Sequence, residues 1–432
     1  MLHKLTTIVC SKYSPNTSSF IQKTFFCTWF PTYYLLKAPP DYVIITQKMK
    51  IVIAPASFKE CLSNIEAAEI IKGACLDVFP SVKTLVFPLA DGGEGTLDVV
   101  KMLAGGMFFY EDVSDPLGRK IKGKWLKNKW TAYIEMAQAA GLTLLNKDER
   151  NPLKTTTYGV GELIKKAVMR GCKEIFIAVG GSATNDGGIG ALTALGIRFF
   201  GREGKLIHHG SGKDLINIKE VDTLYLIPEV KRCEFTVLSD VENPLYGRDG
   251  AAFVYASQKG ARRGDVRVLD EGLKNYNKIV KKATGIDMNN IEGAGAAGGL
   301  AGGLAAFLGA KITSGIEAVL QMGNFEDKIR GAELLITGEG RVDNQTGYGK
   351  GVGMVISICR RYNLPVVVLA GSVENDIYRN RIFKDAIILS IAPGVISLDE
   401  AMKKGNDYLY RTAVQVLKLY KKGIDRKNAC KD

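Results

Sequence analysis

The chain has 432 residues, of which 46% are hydrophobic and 24% charged. These values are typical of a folded globular protein and exclude a disordered, collagenous or disulfide-rich one, and the length predicts two or three domains. The 58 Lys and Arg exceed the 45 Asp and Glu and give a net charge of +13. The basic residues are dispersed, without runs of like charge or interleaved aromatic residues, so we expect no nucleic-acid partner.

The cysteine and histidine residues limit the kinds of metal, redox and acid-base site that the sequence could form. Eight cysteines are scattered along the chain without a C-x-x-C pair, so the sequence offers no zinc or thioredoxin-like motif. We expect reduced thiols and a cytoplasmic protein. Only three histidines are present, and two of them, His208 and His209, are adjacent in a loop-like segment. Proton transfer is therefore expected to depend on carboxylates.

Residues 1–48 differ in composition from the rest of the chain, because they are rich in Thr, Ser and aromatic residues and nearly free of acids. Their apolar stretch, 24–36, is interrupted by Pro31, is too short to span a bilayer and lacks a signal-peptide cleavage pattern. We expect an unstructured extension, read in frame upstream of Met49, and no membrane partner.

From Met49 onward, short apolar runs alternate with segments of helical spacing, which is the pattern of an α/β protein. Ser63 and Glu66 predict a capping box at the first helix, and Ser397 with Glu400 predicts another at a final helix that runs to about Tyr420. Several apolar runs lack alternation, which is typical of strands buried on both faces of a parallel sheet. The predicted strands are residues 51–54, 84–89, 174–179, 234–238, 332–337, 366–369 and 387–391.

Four loops that follow predicted strands combine carboxylates with glycine. They carry Asp91 with Glu94, Asp186, Asp240, and Glu339 with Asp343. Ligands of parallel sheets bind beyond the carboxyl ends of the strands, where glycine lets backbone N–H groups approach an anion and carboxylates can hold Mg²⁺ or accept a hydroxyl proton. A simple turn explains any one such loop. Four together predict phosphoryl transfer, which needs positioning, metal and a carboxylate near the accepting hydroxyl.

Cationic residues occur in the same predicted loops. Lys59 lies between the first strand and the first helix, where its side chain can reach a ligand at the sheet edge. Arg341 and Lys350 are further candidates for contacts with an anion.

A glycine motif offers a rival function. Residues 293–298 match the dinucleotide-binding pattern G-x-G-x-x-G, but residues 287–292 before them are polar, so the strand that this motif requires is missing. Small residues for close helix packing explain the match equally well. A strand directly before Gly293 would favour an NAD(P)-dependent oxidoreductase. The P-loop of ordinary nucleotide kinases is absent.

Nine segments, in this order, resemble the glycerate kinases of the bacterial type I class: IAPASFKECLSN, PLADGGEGT, IEMAQAAGL, NPLKTTTYGVGELI, VGGSATNDGGIGALTALG, SDVENPLYG, QKGA, GAGAAGGL and TGEGRVDNQ. The resemblance extends from Met49 to the C-terminal helix. It implies phosphorylation of D-glycerate by ATP with Mg²⁺, at C2 in preference to C3. The substrate is implied by the resemblance and not by composition or spacing.

The resemblance also implies a fold, an α/β protein of two domains with the active site between them. We expect a Rossmann-like, doubly wound parallel sheet built from residues 49–120 and 290–432, and an inserted second α/β domain of residues 121–289. A homodimer is expected as the assembly.

The candidate residues are assigned by role, while the sequence leaves open which acid is the base and which holds metal. Asp186 is expected to orient or deprotonate the attacking hydroxyl, and Lys59 and Arg341 to bind carboxylate or phosphate. The expected metal ligands are Asp91, Asp240 and Glu339. The expected substrate- or nucleotide-binding residues are Ser57, Gly92, Gly93, Gly181, Ser182, Thr184, Asn185 and Gly295. The family usually has Asp at position 56, so Ala56 favours a second alternative, an inactive sugar-acid-binding regulator.

Overall fold

Strands and helices alternate along the residues that the computed structural model describes, which are 49–344, 346 and 351–429. The strands are β1 (Lys50–Ile53), β2 (Lys83–Val86), β3 (Met107–Ser114), β4 (Lys120–Asn128), β5 (Thr131–Glu135), β6 (Glu174–Ala178), β7 (Arg198–Phe200), β8 (Leu206–Ile207), β9 (Glu220–Asp222), β10 (Glu234–Leu238), β11 (Lys311–Thr313), β12 (Leu334–Val342), β13 (Val366–Val373) and β14 (Ala386–Ser390). The α-helices are α1 (Asn64–Val78), α2 (Thr96–Ala104), α3 (Ala137–Ala140), α4 (Tyr158–Met169), α5 (Ile189–Ala194), α6 (Ala251–Tyr255), α7 (Arg263–Thr284), α8 (Leu300–Leu308), α9 (Gly315–Met322), α10 (Phe325–Ile329), α11 (Val352–Arg361), α12 (Leu398–Lys403) and α13 (Gly405–Ala429).

The first sheet is parallel throughout, with strand order β14-β13-β12-β1-β2. Its strands bury both faces, because Ile51 and Ile53 pack with α1 and α13 while Val52 packs with α9, α10 and α11 on the opposite face. Helices therefore cover both faces, as expected of a doubly wound α/β sheet.

The second sheet has strand order β11-β10-β6-β5-β4-β3. Its strands β5, β6, β10 and β11 are parallel, whereas β3, β4 and β5 form an antiparallel meander. One face packs against α4, α5, α7 and α8 in a large core, and α2 packs against part of the other face. A small antiparallel sheet of order β8-β7-β9 lies next in the chain after α5.

All seven predicted strands are confirmed, with ends that differ by a few residues. The capping box of Ser63 and Glu66 is present at α1. The predicted single final helix is wrong in one respect, because α12 ends at Lys403 and α13 begins at Gly405. Ser397 caps the shorter helix by accepting the N–H of Glu400.

The expected domain boundaries do not coincide with the division of the strands between the two sheets. The inserted segment of residues 121–289 would separate β3 and β11 from the second sheet, to which both strands belong. A division drawn between the two sheets would instead fall near residues 106 and 314. The physical reason is that β3 pairs along its whole length with β4, and β11 pairs with β10. The division into two domains stays a prediction.

Residues 1–48 lie outside the described residues, and β1 begins immediately after them at Lys50. Removal of residues 1–48 is expected to leave the melting temperature and the enzymatic rate unchanged, because the composition break predicts that they supply no core. Thermal denaturation of the full and shortened chains tests this. A markedly lower melting temperature in the shortened chain would contradict it.

Among the helices formed by the described residues, none combines the length and apolar character needed to cross a membrane.

Candidate active site

The carboxyl ends of the two sheets meet at the loop of residues 87–95, which follows β2 of the first sheet. Gly180, directly after β6 of the second sheet, donates its N–H to the Gly92 carbonyl at 2.9 Å. A Cβ on Gly92 would lie only 2.6 Å from the carbonyl oxygen of Leu238, the last residue of β10. Glycine is required here because the backbone of this loop lies directly against the ends of two strands.

A buried carboxylate holds the start of α2, the helix that follows this loop. Glu135, the last residue of β5, is 3% exposed and accepts the N–H of Leu97 in the first turn of α2 at 2.9 Å. Burial raises the pKa of this carboxyl. An acid at a helix N-terminus also suits the helix dipole. Glu135 therefore positions the glycine loop, a role that its place at the end of a strand could have indicated.

Two of the predicted metal ligands lie at this junction. Asp91 is exposed, and its Oδ1 accepts the N–H of Gly93 at 2.9 Å. Asp240 Oδ1 accepts the Ser314 hydroxyl at 2.7 Å and the Gly315 N–H at 3.0 Å, at the start of α9. Burial raises the pKa of Asp240, and the charge of Asp91 raises it further.

The third predicted ligand, Glu339, lies within β12 of the first sheet, where it pairs with Ala370 of β13. The prediction of a loop at this position is wrong, because β12 continues to Val342. Burial raises the pKa of its carboxyl to about 7, and the charges of Asp343 and Asp91 add to the rise. A hydrogen bond from Thr346 and the charge of Lys59 act in the opposite direction. The Oε1 atom is buried and has no hydrogen-bond partner among the described residues. The charge of Asp91 therefore raises the pKa of one carboxyl from each sheet, Asp240 and Glu339.

The described residues contain no group of three or more His, Cys, Asp or Glu placed to hold a metal ion. The expected trio of Asp91, Asp240 and Glu339 is therefore not a preformed three-carboxylate site. Asp240 and Glu339 belong to different sheets, and the charge of Asp91 acts on both of them.

The predicted cations lie on the first-sheet side. Lys59 is exposed in the loop after β1, and Ser57 is half-buried in the same loop. Arg341 is exposed at 65%, and its guanidinium lies 3.8 Å from Asp343 and 3.5 Å from Glu374. Lys350 lies outside the described residues.

Asp186 lies in the loop between β6 and α5 of the second sheet. It is 0% exposed, and its carboxylate accepts hydrogen bonds from the N–H and hydroxyl of Thr157 at 2.8 and 2.7 Å. It also accepts the N–H groups of Gly188 and Gly190, at the start of α5. Burial raises the pKa of this carboxyl, and these hydrogen bonds oppose the rise. The expectation of direct contact with substrate thus disagrees with the geometry, which makes Asp186 a buried cap.

The residues before Asp186 are also buried. Thr184 and Asn185 are both 0% exposed, and the Thr184 hydroxyl and both polar atoms of the Asn185 amide have no hydrogen-bond partner among the described residues. Lys259, which the sequence analysis did not single out, is 2% exposed and donates to the Thr184 carbonyl at 2.7 Å. Burial lowers the pKa of Lys259 to about 7, against the charge of Asp186, which raises it. The glycine loop after β6 therefore rests on a buried polar layer.

The glycine motif at 293–298 is used for packing. A single 3₁₀ turn, Met288–Asn290, precedes it, so the strand required by the dinucleotide motif is absent from this described stretch. Gly295 donates its N–H to the Asn243 carbonyl, and a Cβ on Gly298 would collide with the Thr184 carbonyl. Gly295, predicted to bind substrate or nucleotide, instead belongs to a tightly packed backbone.

Substitution of Gly180 by Ala is expected to lower kcat/KM at least about tenfold, because displacement of reacting groups by about 1 Å can cost up to about a hundredfold. An ideal Cβ at this position would lie 2.5 Å from the Gly93 Cα, so the two glycine loops would have to separate. Gly73→Ala is the control, since a Cβ there has no neighbour within 4 Å. Steady-state kinetics of both variants measure the effect, and equal kcat/KM values would contradict the loop contact.

Comparisons with known proteins identify the family of this chain. The glycerate kinase family model matches residues 51–421. A glycerate kinase from Halalkalibacterium halodurans is 41% identical over 84% of this chain and 96% of its own length, and a glycerate 2-kinase from Escherichia coli is 40% identical over the same shares. A crystal structure described as a glycerate kinase 2 from Salmonella typhimurium LT2 has a TM-score of 0.75 and 37% identity, covering 88% of this chain and 100% of that one. This chain is therefore a kinase that belongs to the glycerate kinase family.

Proposed function

We propose that the enzyme transfers the γ-phosphoryl group of ATP to the C2 hydroxyl of D-glycerate and releases 2-phosphoglycerate. The observation that carries this proposal is the meeting of two strand-end loops rich in glycine and acids with the Glu339 carboxyl, whose pKa burial raises to about 7. The name of the Escherichia coli relative, glycerate 2-kinase, supports C2 as the accepting position.

The donors present at the junction fit Mg²⁺. Magnesium is commonly held by one or two carboxylates together with substrate phosphates and water, so a complete protein cage is not needed. We propose Asp91 and Asp240, whose charges interact across the loop, as these carboxylates. Bound Mg²⁺ would neutralise charge on the transferred phosphoryl group.

We propose Glu339 as the group that accepts the proton of the attacking hydroxyl, in place of Asp186. A carboxyl with a pKa of about 7 is half deprotonated at neutral pH, which suits a general base. Glu339 is only partly buried and its charge interacts with that of Lys59, whereas the Asp186 carboxylate is engaged by Thr157 and the start of α5. Asp186 is then a positioning residue that holds the loop after β6.

The remaining roles are assigned to residues of the loops that meet at the junction of the two sheets. Lys59 and Arg341 would bind the glycerate carboxylate or a phosphate oxygen, and Ser57 lies beside Lys59 in the same loop. Gly92 and Gly181 have left-handed φ values of +88° and +71°, which other residues adopt only at a cost. Backbone N–H groups of these glycine loops would face the phosphates. The further candidates here are Gly93 and Ser182, whereas Thr184 and Asn185 are fully buried.

The test is a coupled assay of ADP release from ATP with Mg²⁺, in the presence and absence of D-glycerate. We expect ADP only with D-glycerate, with L-glycerate as the matched control acceptor. Phosphorus NMR of the product then distinguishes the two positions by the coupling of the phosphate to the C2 or C3 protons. A C3 product would overturn the position, and the absence of D-glycerate-dependent ADP would overturn the substrate. A cytoplasmic location and a homodimer stay predictions.

A further inference from the structure

A cavity of about 610 Å³ lies apart from the proposed active site. Its wall is formed by the β7-β8 turn, the residues after β8 and two segments near 117 and 155. None of the residues assigned above to substrate, nucleotide or metal lines it.

Cations are in excess in the lining of the cavity, where four Lys and Arg side chains accompany two carboxylates, Glu203 and Asp214. Lys154, Arg202, Lys205 and Lys213 all line it with exposed side chains, and none of the four forms an ion pair with another described residue. Of the two acids in the lining, Asp214 already accepts the N–H and the hydroxyl of Ser211 at 2.9 and 2.7 Å. Like charges gathered in one concave surface repel each other and concentrate the positive potential that attracts an anion.

The shape and the apolar part of the lining indicate an organic anion. The volume lies within the range of about 300 to 1,000 Å³ that is usual for small-molecule sites and is much larger than an inorganic ion requires. Leu206 and Ile207 contribute half-buried apolar surface beside the four cations. Arg and Lys side chains are the common partners of phosphate and carboxylate groups.

We propose that this cavity binds a small organic phosphate that also carries a carboxylate. The cavity wall is continuous with the buried layer of the active site. Thr156, in the lining, donates its hydroxyl to the His209 carbonyl at 2.9 Å, and the next residue, Thr157, holds Asp186. The lining shares no residue with the proposed active site, so the occupancy of the cavity can be measured while the proposed active site is filled.

The test is calorimetric titration of the full chain with 3-phosphoglycerate, in the presence of saturating D-glycerate and a non-hydrolysable ATP analogue. The cavity variant is Lys205→Gln with Lys213→Gln, and the matched control is Lys219→Gln with Lys231→Gln, two exposed lysines outside the lining. We expect at least tenfold weaker binding in the cavity variant and unchanged binding in the control. Arg202→Gln gives a second, single-residue variant with the same expected direction.

Hydrogen exchange locates the ligand independently of the chemistry at the proposed active site. We expect 3-phosphoglycerate to slow exchange at residues 202–213 in the unmodified protein and in the control variant but not in the cavity variant. Inorganic phosphate is expected to bind more weakly than 3-phosphoglycerate, because it leaves the apolar wall uncovered. Equal affinity in the two double variants, or no saturable binding to the unmodified protein, would overturn the proposal whether or not the chain phosphorylates glycerate.

Discussion

Replacement of Glu339 by Gln is expected to lower kcat by at least about a hundredfold, since general-base assistance usually contributes about 10² to 10⁴. The substitution keeps the size of the side chain but removes the carboxylate that is proposed to accept the proton. The melting temperature is expected to stay the same or rise, because burial already opposes the charged form of this carboxyl and raises its pKa to about 7. Steady-state kinetics and thermal denaturation measure the two effects.

The same assignment predicts a pH dependence. Only the deprotonated carboxylate accepts a proton, so kcat/KM of the unmodified enzyme is expected to fall as the pH drops below about 7. A full pH unit below the pKa leaves roughly one tenth of the carboxyl deprotonated, so the rate should fall about tenfold per unit. The Glu339→Gln variant is expected to lose this acid limb.

Asp91→Asn is the control for a metal effect. Asp91 is proposed to hold Mg²⁺, so raised Mg²⁺ should partly restore the rate of its variant, whereas the Glu339→Gln rate should not respond. Near-normal turnover of Glu339→Gln, or its rescue by Mg²⁺, would show that this carboxyl is not the base.

Replacement of Asp186 by Asn is expected to destabilise the protein by about 2 to 5 kcal/mol. Oδ2 accepts the N–H and the hydroxyl of Thr157 and the N–H of Gly190, and an amide NH₂ in its place would face these donors. Each buried donor left without an acceptor costs about 1 to 3 kcal/mol. Chemical denaturation monitored by circular dichroism measures the loss.

The matched control is Asp112→Asn, the same substitution at a carboxylate that is 67% exposed on the edge strand β3. Its effect on stability is expected to be small, because exposed ion pairs contribute little. An unchanged denaturation midpoint for Asp186→Asn together with at least a hundredfold lower kcat would instead support Asp186 as the proton acceptor, as the sequence alone suggests.

Local sequence patterns were sufficient to predict the buried parallel strands and the start of the first helix. Uniformly apolar runs predicted the buried parallel strands, since a strand covered on both faces has no polar side. Those patterns did not predict β3 and β4, because Glu111 and Asp112 interrupt the apolar residues of β3 and four lysines are spread along β4. The capping motif at Ser63 predicted the start of α1 because the hydrogen bonds involved join residues only three apart.

The site itself depended on contacts between distant residues. The sequence predicted equivalent strand-end loops for Asp186 and Glu339, whereas the fold places Asp186 in the loop after β6 and Glu339 within β12. Asp186 is covered and meets the hydroxyl of Thr157, 29 residues away, while Glu339 is partly open with its charge near those of Lys59 and Asp91. Lys259 became part of the buried layer by reaching Thr184, 75 residues away. Sequence determined which loops carry acids, but burial and hydrogen bonding, which set each acid's pKa and access, arise only when the two sheets pack.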